Sequence, residues 1–262
     1  MTMRRLALLA VLPVLLAGCG SGGGDSDGDT VVGAVTRTNI IDMPPNRFVY
    51  DPAAQTLTIV RPGLVDIEYE LFAVAGIPSG FNSFRTVDTR TGRTSAFTIA
   101  GMTPSGGGQI VTSVTLGGDK PYALDRLSET TLPGVDSGTV IYAGQYAGQY
   151  QTSGPQYGHI FGDATLTVNF ADLEIFGTVT NRANTGGLAA DDIALQVTAL
   201  DNGAFTGTST GGALSGAISQ GGTYMGLLTG PDGNEAIAHV TIRSTLEGVF
   251  YNESGAIIAI GQ

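Results

Sequence analysis

Cysteine, histidine, tryptophan and charge are all scarce in this sequence. The 262 residues include one cysteine, two histidines and no tryptophan, and charged residues make up 13% of the chain. A single cysteine excludes an intramolecular disulfide and any zinc or iron–sulfur site built on several thiolates. With 12 basic and 23 acidic residues the formal charge is −11. A basic surface for nucleic-acid phosphates is therefore missing, and we expect no nucleic-acid partner.

Glycine, in contrast, is abundant, with 40 residues, about twice the share in an average protein. From residue 31 onward apolar and polar residues alternate, as they do in half-buried strands. No long window shows the 3.6-residue spacing of an amphipathic helix, and the short stretch 124–130 is the only weak helix candidate. This pattern indicates an all-β protein.

The even spacing of strands beyond residue 137 predicts a closed sheet. Strands are expected at 139–150, 164–170, 174–181, 193–199, 205–209, 213–219, 224–229, 236–243, 246–251 and 256–260, with a turn at 252–255. Closure removes exposed strand edges, and side chains fill the lumen of an eight-stranded barrel. We predict a β-rich, handle-like N-terminal domain (31–136) followed by a small eight-stranded antiparallel up-and-down β-barrel (137–262), with the apolar faces inward.

The first residues have the features of a targeting segment. Arg4 and Arg5 precede an apolar run at 6–16, which has the length of a signal-peptide core and is too short to span a bilayer. Leu16, Ala17, Gly18 and Cys19 follow, and they resemble the lipobox of bacterial lipoproteins, in which the cysteine is acylated and the chain is cut just before it.

This resemblance predicts a lipoprotein signal peptide at 1–18, cleavage between Gly18 and Cys19, and lipidation of Cys19, including a palmitate chain. Residues 19–30 are rich in glycine and aspartate and form a flexible tether. Gly20 after the cysteine favours the outer membrane of a Gram-negative bacterium over retention at the inner one. The alternative is a plain secretory signal with an incidental cysteine. Cleavage removes two arginines and takes the formal charge from −11 to −13.

Candidate chemistry in the remaining chain is sparse. The G-x-S-x-G pattern at 207–211 lacks the following helix that a nucleophile elbow needs. The two histidines are far apart, and we expect His239 to face solvent from a strand and His159 to begin one. The paired carboxylates Asp191/Asp192 and Glu68/Glu70 are interpreted as solvated surface. We therefore expect no enzyme, no catalytic residues, no metal ligands and no resident cofactor.

Four tyrosines keep a ligand hypothesis open. A phenolate oxygen can ligate haem iron, and the candidates are Tyr146, Tyr150, Tyr157 and Tyr224. Aromatic packing in or around a barrel is the favoured interpretation for each of them. Haem or iron is therefore a possible ligand of the protein, and we do not expect it to be a resident cofactor.

The C-terminal half resembles the β-barrel domain of the transferrin-binding protein B superfamily of surface lipoproteins. The similarity rests on four short glycine-based segments: a Tyr/Gly alternation at 142–148, the pair 162–170 and 177–179, Gly226 to Pro231 with Glu235, and the closing segments 248–250 and 255–261. Leu227 and Ile258 stand where this superfamily commonly has an aromatic residue.

The resemblance implies a cell-surface binding protein that captures a host or environmental ligand, often in iron or haem acquisition, through barrel loops. The partners it implies are the membrane, through the N-terminal lipid, and a protein ligand or an outer-membrane receptor. No ligand-binding residue carries over from the superfamily. The alternative is a structural or interaction lipoprotein of the envelope without a ligand of its own.

The lipid anchor can be tested by replacing its cysteine. We expect Cys19→Ser to abolish incorporation of labelled palmitate and to move the full-length chain from the detergent phase to the aqueous phase of Triton X-114, because the acyl chains supply the membrane affinity. Ser21→Ala, a control in the same tether, should retain both properties. A wild-type protein without fatty acid would leave the secretory alternative standing.

Overall fold

The computed structural model describes residues 34–35, 39–41, 47–88, 90–115, 119–153, 156–214 and 216–262. The predicted signal peptide, Gly18, Cys19 and the tether lie outside these residues. Eighteen strands and one short 3-10 helix follow in chain order: β1 (Ala34–Val35), β2 (Asn39–Ile41), β3 (Arg47–Asp51), β4 (Thr56–Val60), β5 (Ile67–Leu71), β6 (Phe81–Val87), β7 (Thr94–Met102), β8 (Gly108–Thr115), β9 (Tyr122–Arg126), β10 (Thr130–Thr131), the 3-10 helix (Val135–Ser137), β11 (Thr139–Thr152), β12 (Tyr157–Asn169), β13 (Glu174–Asn184), β14 (Ile193–Asp201), β15 (Ala204–Gly211), β16 (Ile218–Thr229), β17 (Glu235–Leu246) and β18 (Val249–Gly261).

Strands β2 to β9 form one antiparallel sheet in the order β2-β9-β8-β7-β6-β5-β4-β3, and β1 pairs with β10 in a separate two-stranded sheet. Strands β3 to β9 are therefore a meander, and β2 adds to the β9 edge. One face of the sheet buries a cluster of its own, made by Phe48, Tyr50, Leu57, Ile59, Phe84, Ala100, Val111 and Ala123. Alternation along β3 and β4 puts every second side chain into this cluster, as a half-buried strand requires.

The C-terminal strands β11 to β18 form a closed antiparallel barrel in sequence order, with β18 pairing back onto β11. Side chains fill its lumen, including Tyr142, Tyr146 and Tyr224, all fully buried. The prediction of an all-β chain with a β-rich N-terminal region and an eight-stranded up-and-down barrel is confirmed.

An ion pair lies inside the apolar lumen. Arg182 on β13 donates to the Glu253 carboxylate on β18 over 2.5 Å, and the Tyr146 hydroxyl donates to the same oxygen over 2.5 Å. The Arg182 guanidinium also lies 5.7 Å from the centre of the Tyr146 ring. Burial alone would lower the pKa of Arg182, but Glu253 and Tyr146 together outweigh it, so the pKa is raised and the guanidinium stays charged.

The sheet packs against the outer wall of the barrel. Phe81, Ile99, Ile110 and Leu124 project from β6 to β9 onto Ala147, Leu227, Ile237, Ala256 and Ile258 of β11 and β16 to β18. Buried polar contacts fasten this junction at its ends. The Arg126 Nε donates to the Leu228 carbonyl over 2.9 Å, and Glu235 accepts from the Ser105 amide over 2.8 Å.

Three local predictions were wrong. Residues 124–130 begin within strand β9 rather than forming a helix, and 213–219 is mostly loop, with β16 beginning at Ile218. The expected turn at 252–255 is the middle of β18. Polar residues such as Glu253 and Ser254 are common in turns, and the sequence does not show that they are buried. Their hydrogen-bonding partners, Arg182 and Thr112, are distant in sequence.

The buried pair predicts an asymmetric response to substitution. Glu253→Gln leaves the Arg182 charge buried and unpaired, so we expect it to lower the free energy of unfolding by about 3 kcal/mol. The double variant Arg182→Met/Glu253→Gln should lose less than the single one, since no buried charge is left without a counter-ion. Urea denaturation of the full-length chain in detergent measures both.

The exposed pair Arg85–Glu70, 3.1 Å apart, is the control: Glu70→Gln should cost less than about 1 kcal/mol. Equal losses from Glu253→Gln and Glu70→Gln would contradict the stabilising role of the lumen pair.

Candidate functional site

Side chains fill the lumen, and their contacts there define the role of two candidate tyrosines. Burial, followed by the neighbouring Glu253 charge, raises the pKa of Tyr146 well above its usual value, so its hydroxyl stays protonated. Burial raises the pKa of Tyr224 to about 12, and its hydroxyl donates to the Gln196 carbonyl over 2.5 Å. Neither tyrosine offers a phenolate to a metal near neutral pH.

The other two candidate tyrosines also pack against aromatic rings. Tyr150 lies against Tyr251 in the barrel, with ring centres 6.2 Å apart, and Tyr157 contacts Phe97 of the N-terminal sheet at 4.8 Å. The aromatic-packing interpretation is therefore confirmed for all four tyrosines. The structure does not bring them together into one site.

Both histidines lie in the junction between sheet and barrel. His239 projects outward from β17, stacks on Tyr122 at 4.4 Å between ring centres, and hydrogen-bonds Ser254 over 2.8 Å. The prediction that it faces solvent was wrong, because the sheet covers this part of the barrel wall. His159 is buried beside Phe72 and hydrogen-bonds Ser83 over 3.2 Å.

Burial makes both rings poor bases. It lowers the pKa of His159 to about 4, and burial together with the Lys120 charge lowers that of His239 to about 3. The two imidazoles are neutral at neutral pH, and each bonds a serine rather than a carboxylate. They act as polar contacts within a buried interface.

The remaining motif residues are structural or solvated. Ser209 of the G-x-S-x-G pattern lies within β15, and its hydroxyl donates to the Thr241 carbonyl over 3.2 Å. Asp191 and Asp192 are exposed in the loop between β13 and β14, and the exposed Glu70 pairs with Arg85. Among the described residues, no group of three or more His, Cys, Asp or Glu is arranged to hold a metal ion. The described chain also holds no helix long and apolar enough to cross a membrane.

The two ends of the barrel differ in their loops. Tight turns at 170–173, 202–203 and 230–234 connect strands at one end, whereas the segments 153–156, 185–192, 212–217 and 247–248 connect them at the other. We call the second the loop end. Its exposed large apolar residues are Leu188, Ile218, Val249 and Phe250, and its exposed acidic residues are Asp191, Asp192 and Glu247.

Two of these apolar residues, Ile218 and Phe250, form one patch, which we call the rim. Ile218 pairs with Thr245 and Thr245 with Phe250, so Ile218 and Phe250 project from the same outer face of strands β16 and β18. Ile218 is 75% exposed and Phe250 is 47% exposed. Sequence reasoning missed the rim because it placed residues 213–219 in a separate strand.

No protein-family profile matches the chain, and no characterised protein matches it by sequence. Among solved structures, the chain is similar to a single-residue variant of transferrin binding protein B from Haemophilus parasuis. The identity is 14% and the TM-score 0.46, over 87% of this chain and 45% of that one. A second Haemophilus parasuis variant of that protein matches at 13% identity and a TM-score of 0.44, over 78% and 40% of the two chains. The isotype 1 transferrin binding protein B from Neisseria meningitidis matches at 13% identity and a TM-score of 0.46, over 87% of this chain and 43% of that one.

The chain thus spans less than half the length of these transferrin binding protein B chains. They belong to the superfamily whose barrel segments the sequence resembles, and the likeness is one of fold.

The buried histidines predict an acid-sensitive fold. The pKa values of both histidines are lowered from the ordinary 6.5. Below that pH the histidines therefore bind protons in the unfolded chain while they remain neutral in the folded chain. Their contribution to stability is complete above about pH 6.5 and is lost as the pH falls towards 4, by about 1.4 kcal/mol per pH unit for each ring.

We expect His239→Gln and His159→Gln each to flatten the fall of the unfolding free energy by that amount, measured by urea denaturation at pH 7, 6, 5 and 4. Burial raises the pKa of Asp125 to about 6, which opposes the trend, but it acts equally in the wild type and both variants. A pH slope unchanged by either substitution would show that the ring concerned is accessible to protons in the folded state.

Proposed function

We propose that the protein is a lipid-anchored outer-membrane lipoprotein that captures a protein ligand with the loop end of its barrel. In this proposal residues 1–18 are the signal peptide, lipidated Cys19 holds the chain at the membrane, residues 19–30 are the tether, and the barrel presents its loops to the partner. Display on the cell surface and orientation toward the periplasm are both compatible with this arrangement.

The single observation that carries the proposal is the contrast between a filled lumen and an apolar rim. A ligand must bind outside the barrel because Tyr146, Tyr224 and the Arg182–Glu253 pair occupy the inside. The rim places Ile218 and Phe250 in solvent on β16 and β18, the two strands that flank β17. Clustered exposed apolar side chains commonly mark protein-binding surfaces.

The negative charge of the chain favours a partner with a basic surface. The chain carries a formal −11, and three of its acidic residues, Asp191, Asp192 and Glu247, are exposed at the loop end beside the apolar residues. A negative field accelerates the encounter with a basic partner and slows that with an acidic one. A protein with a basic, partly apolar surface fits this end best. The resemblance to a superfamily named for binding transferrin, itself a protein, agrees with a protein ligand.

Haem or iron would then arrive on the partner. The four tyrosines considered as ligands for haem iron are engaged in packing, and the pKa values of Tyr146 and Tyr224 are raised by burial. We assign no reaction to the chain. A structural envelope lipoprotein without a ligand is the alternative that the following experiment separates.

Affinity capture with rim variants tests the proposal. The full-length chain, immobilised in detergent, is incubated with conditioned growth medium, and retained proteins are identified by mass spectrometry. We expect one protein whose affinity falls at least about tenfold with Phe250→Ser. We further expect an on-rate that decreases as salt rises. A Soret band in the eluate would show that the partner carries haem.

Phe176→Ser is the matched control, since Phe176 is 40% exposed on the barrel wall away from the rim, and it should leave binding unchanged. Equal loss with both variants would contradict binding at the rim. Retention of no specific protein by the wild type would favour the structural alternative.

A further inference from the structure

We propose that the outer wall of the barrel holds a binding site for a phosphate-type oxyanion, in a cleft between Lys120 and Arg243. This site is separate from the capture of a protein at the rim. Lys120 belongs to the segment before β9 of the N-terminal sheet, and Arg243 projects outward from β17 of the barrel. The cleft has a volume of about 350 Å³, and its further lining includes Gln220, Gly222, Thr223 and Thr241.

The two cations are unusual in this chain. Lys120 is its only lysine, and the chain carries a formal −11. Even so, the fold places this lysine beside an arginine rather than beside a carboxylate. In the described part of the chain, neither Lys120 nor Arg243 forms a salt bridge. Two like charges in one cleft without a counter-ion are unfavourable, and a bound anion relieves that cost.

The surrounding charges support the same conclusion. Burial, and then the Arg243 charge, lower the pKa of Lys120, while Glu253 acts weakly in the opposite direction. Glu253 points into the lumen, where Arg182 already neutralises it. His239 lies near Lys120 and is neutral, with its pKa lowered to about 3. Asp119 precedes Lys120 in the chain and is exposed. Within the described chain, neither Glu253 nor Asp119 forms a salt bridge with Lys120 or Arg243.

The geometry of the donors suits an oxyanion. The Arg243 Nε donates to the Asn252 side-chain oxygen over 3.3 Å. This contact orients the guanidinium, and its two terminal nitrogens have no other partner among the described residues. Arg supplies a planar pair of donors and Lys a compact charge, the combination that proteins use for phosphate.

Two glycines line the cleft at a bulge in β16, where the neighbouring strands approach closely. A Cβ atom on Gly222 would lie 1.7 Å from the Thr241 carbonyl oxygen, and Gly221 has a φ of +73°, which favours glycine. Thr223 and Thr241 place their hydroxyls 3.0 Å apart beside these glycines. The cleft is large for an inorganic phosphate alone, so it also has room for a hydroxylated carrier such as a sugar.

The single lysine gives a direct spectroscopic readout. In the full-length chain labelled with 13C,15N-lysine, one side-chain signal reports on the cleft. We expect inorganic phosphate to shift this signal saturably at low ionic strength and to raise the pKa of the amine. Glucose 6-phosphate, compared with glucose, distinguishes a phosphate carried on a sugar from free phosphate: tighter binding than phosphate assigns the site to the carried form, and equal binding assigns it to the free ion.

Charge variants decide the site. Arg243→Gln should weaken phosphate binding about tenfold or more, because it removes charge-assisted hydrogen bonds. Arg47→Gln, which removes an exposed arginine from β3 at the far edge of the N-terminal sheet, should leave it unchanged. Equal weakening of phosphate binding by both variants would mean that only the net charge of the protein matters, and it would contradict a specific site in the cleft. A lysine signal that does not saturate with phosphate would contradict the site as well. Phe250→Ser should not affect the phosphate response, so failure at the rim and failure at the cleft are distinguishable.

Discussion

Closure of the barrel between its first and last strands is the constraint on which the remaining structure depends. Strand β11 pairs with β18 from Tyr142 opposite Gly261 to Thr152 opposite Tyr251, so two segments about a hundred residues apart must meet in register. Close approach requires glycine: a Cβ on Gly144 would lie 1.9 Å from the Ile258 carbonyl oxygen, and one on Gly255 would lie 2.1 Å from the Tyr146 hydroxyl. The Tyr/Gly alternation therefore serves both purposes, because the tyrosines fill the lumen and the glycines leave them space.

A closed and filled barrel moves every accessible function to its outer wall and its ends. The N-terminal sheet covers the wall formed by β11 and β16 to β18, where small residues such as Ala147 and Ala256 let the two layers approach. Polar contacts also cross this junction, as with Ser254, which hydrogen-bonds both Thr112 and His239. Such pairs fix the position of the sheet, because each would lose its partner if the layers slid.

Period-two polarity was sufficient to predict the class of fold and most barrel strands, since it reports which side chains share a face. It does not report what covers that face. His239 alternates correctly, yet the covering surface comes from Tyr122, more than a hundred residues earlier. Glu253 and Ser254 suggested a turn because buried polar residues in a strand resemble solvated ones until their partners are known. Arg182, the partner of Glu253, is supplied by β13, on another part of the barrel.

The same reasoning explains why neither candidate surface could be read from the sequence. The rim arises where β16 and β18 begin on either side of the end of β17, and the cleft arises where the sheet brings Lys120 close to Arg243. Lys120 and Arg243 belong to different layers, so their proximity depends on the packing of sheet against barrel. A ligand that contacts both layers adds its binding free energy to the stability of the packed arrangement. The two neutral histidines act on the same junction, because protonating either ring requires water to enter it. Anion binding and histidine protonation therefore shift the stability of one interface in opposite directions.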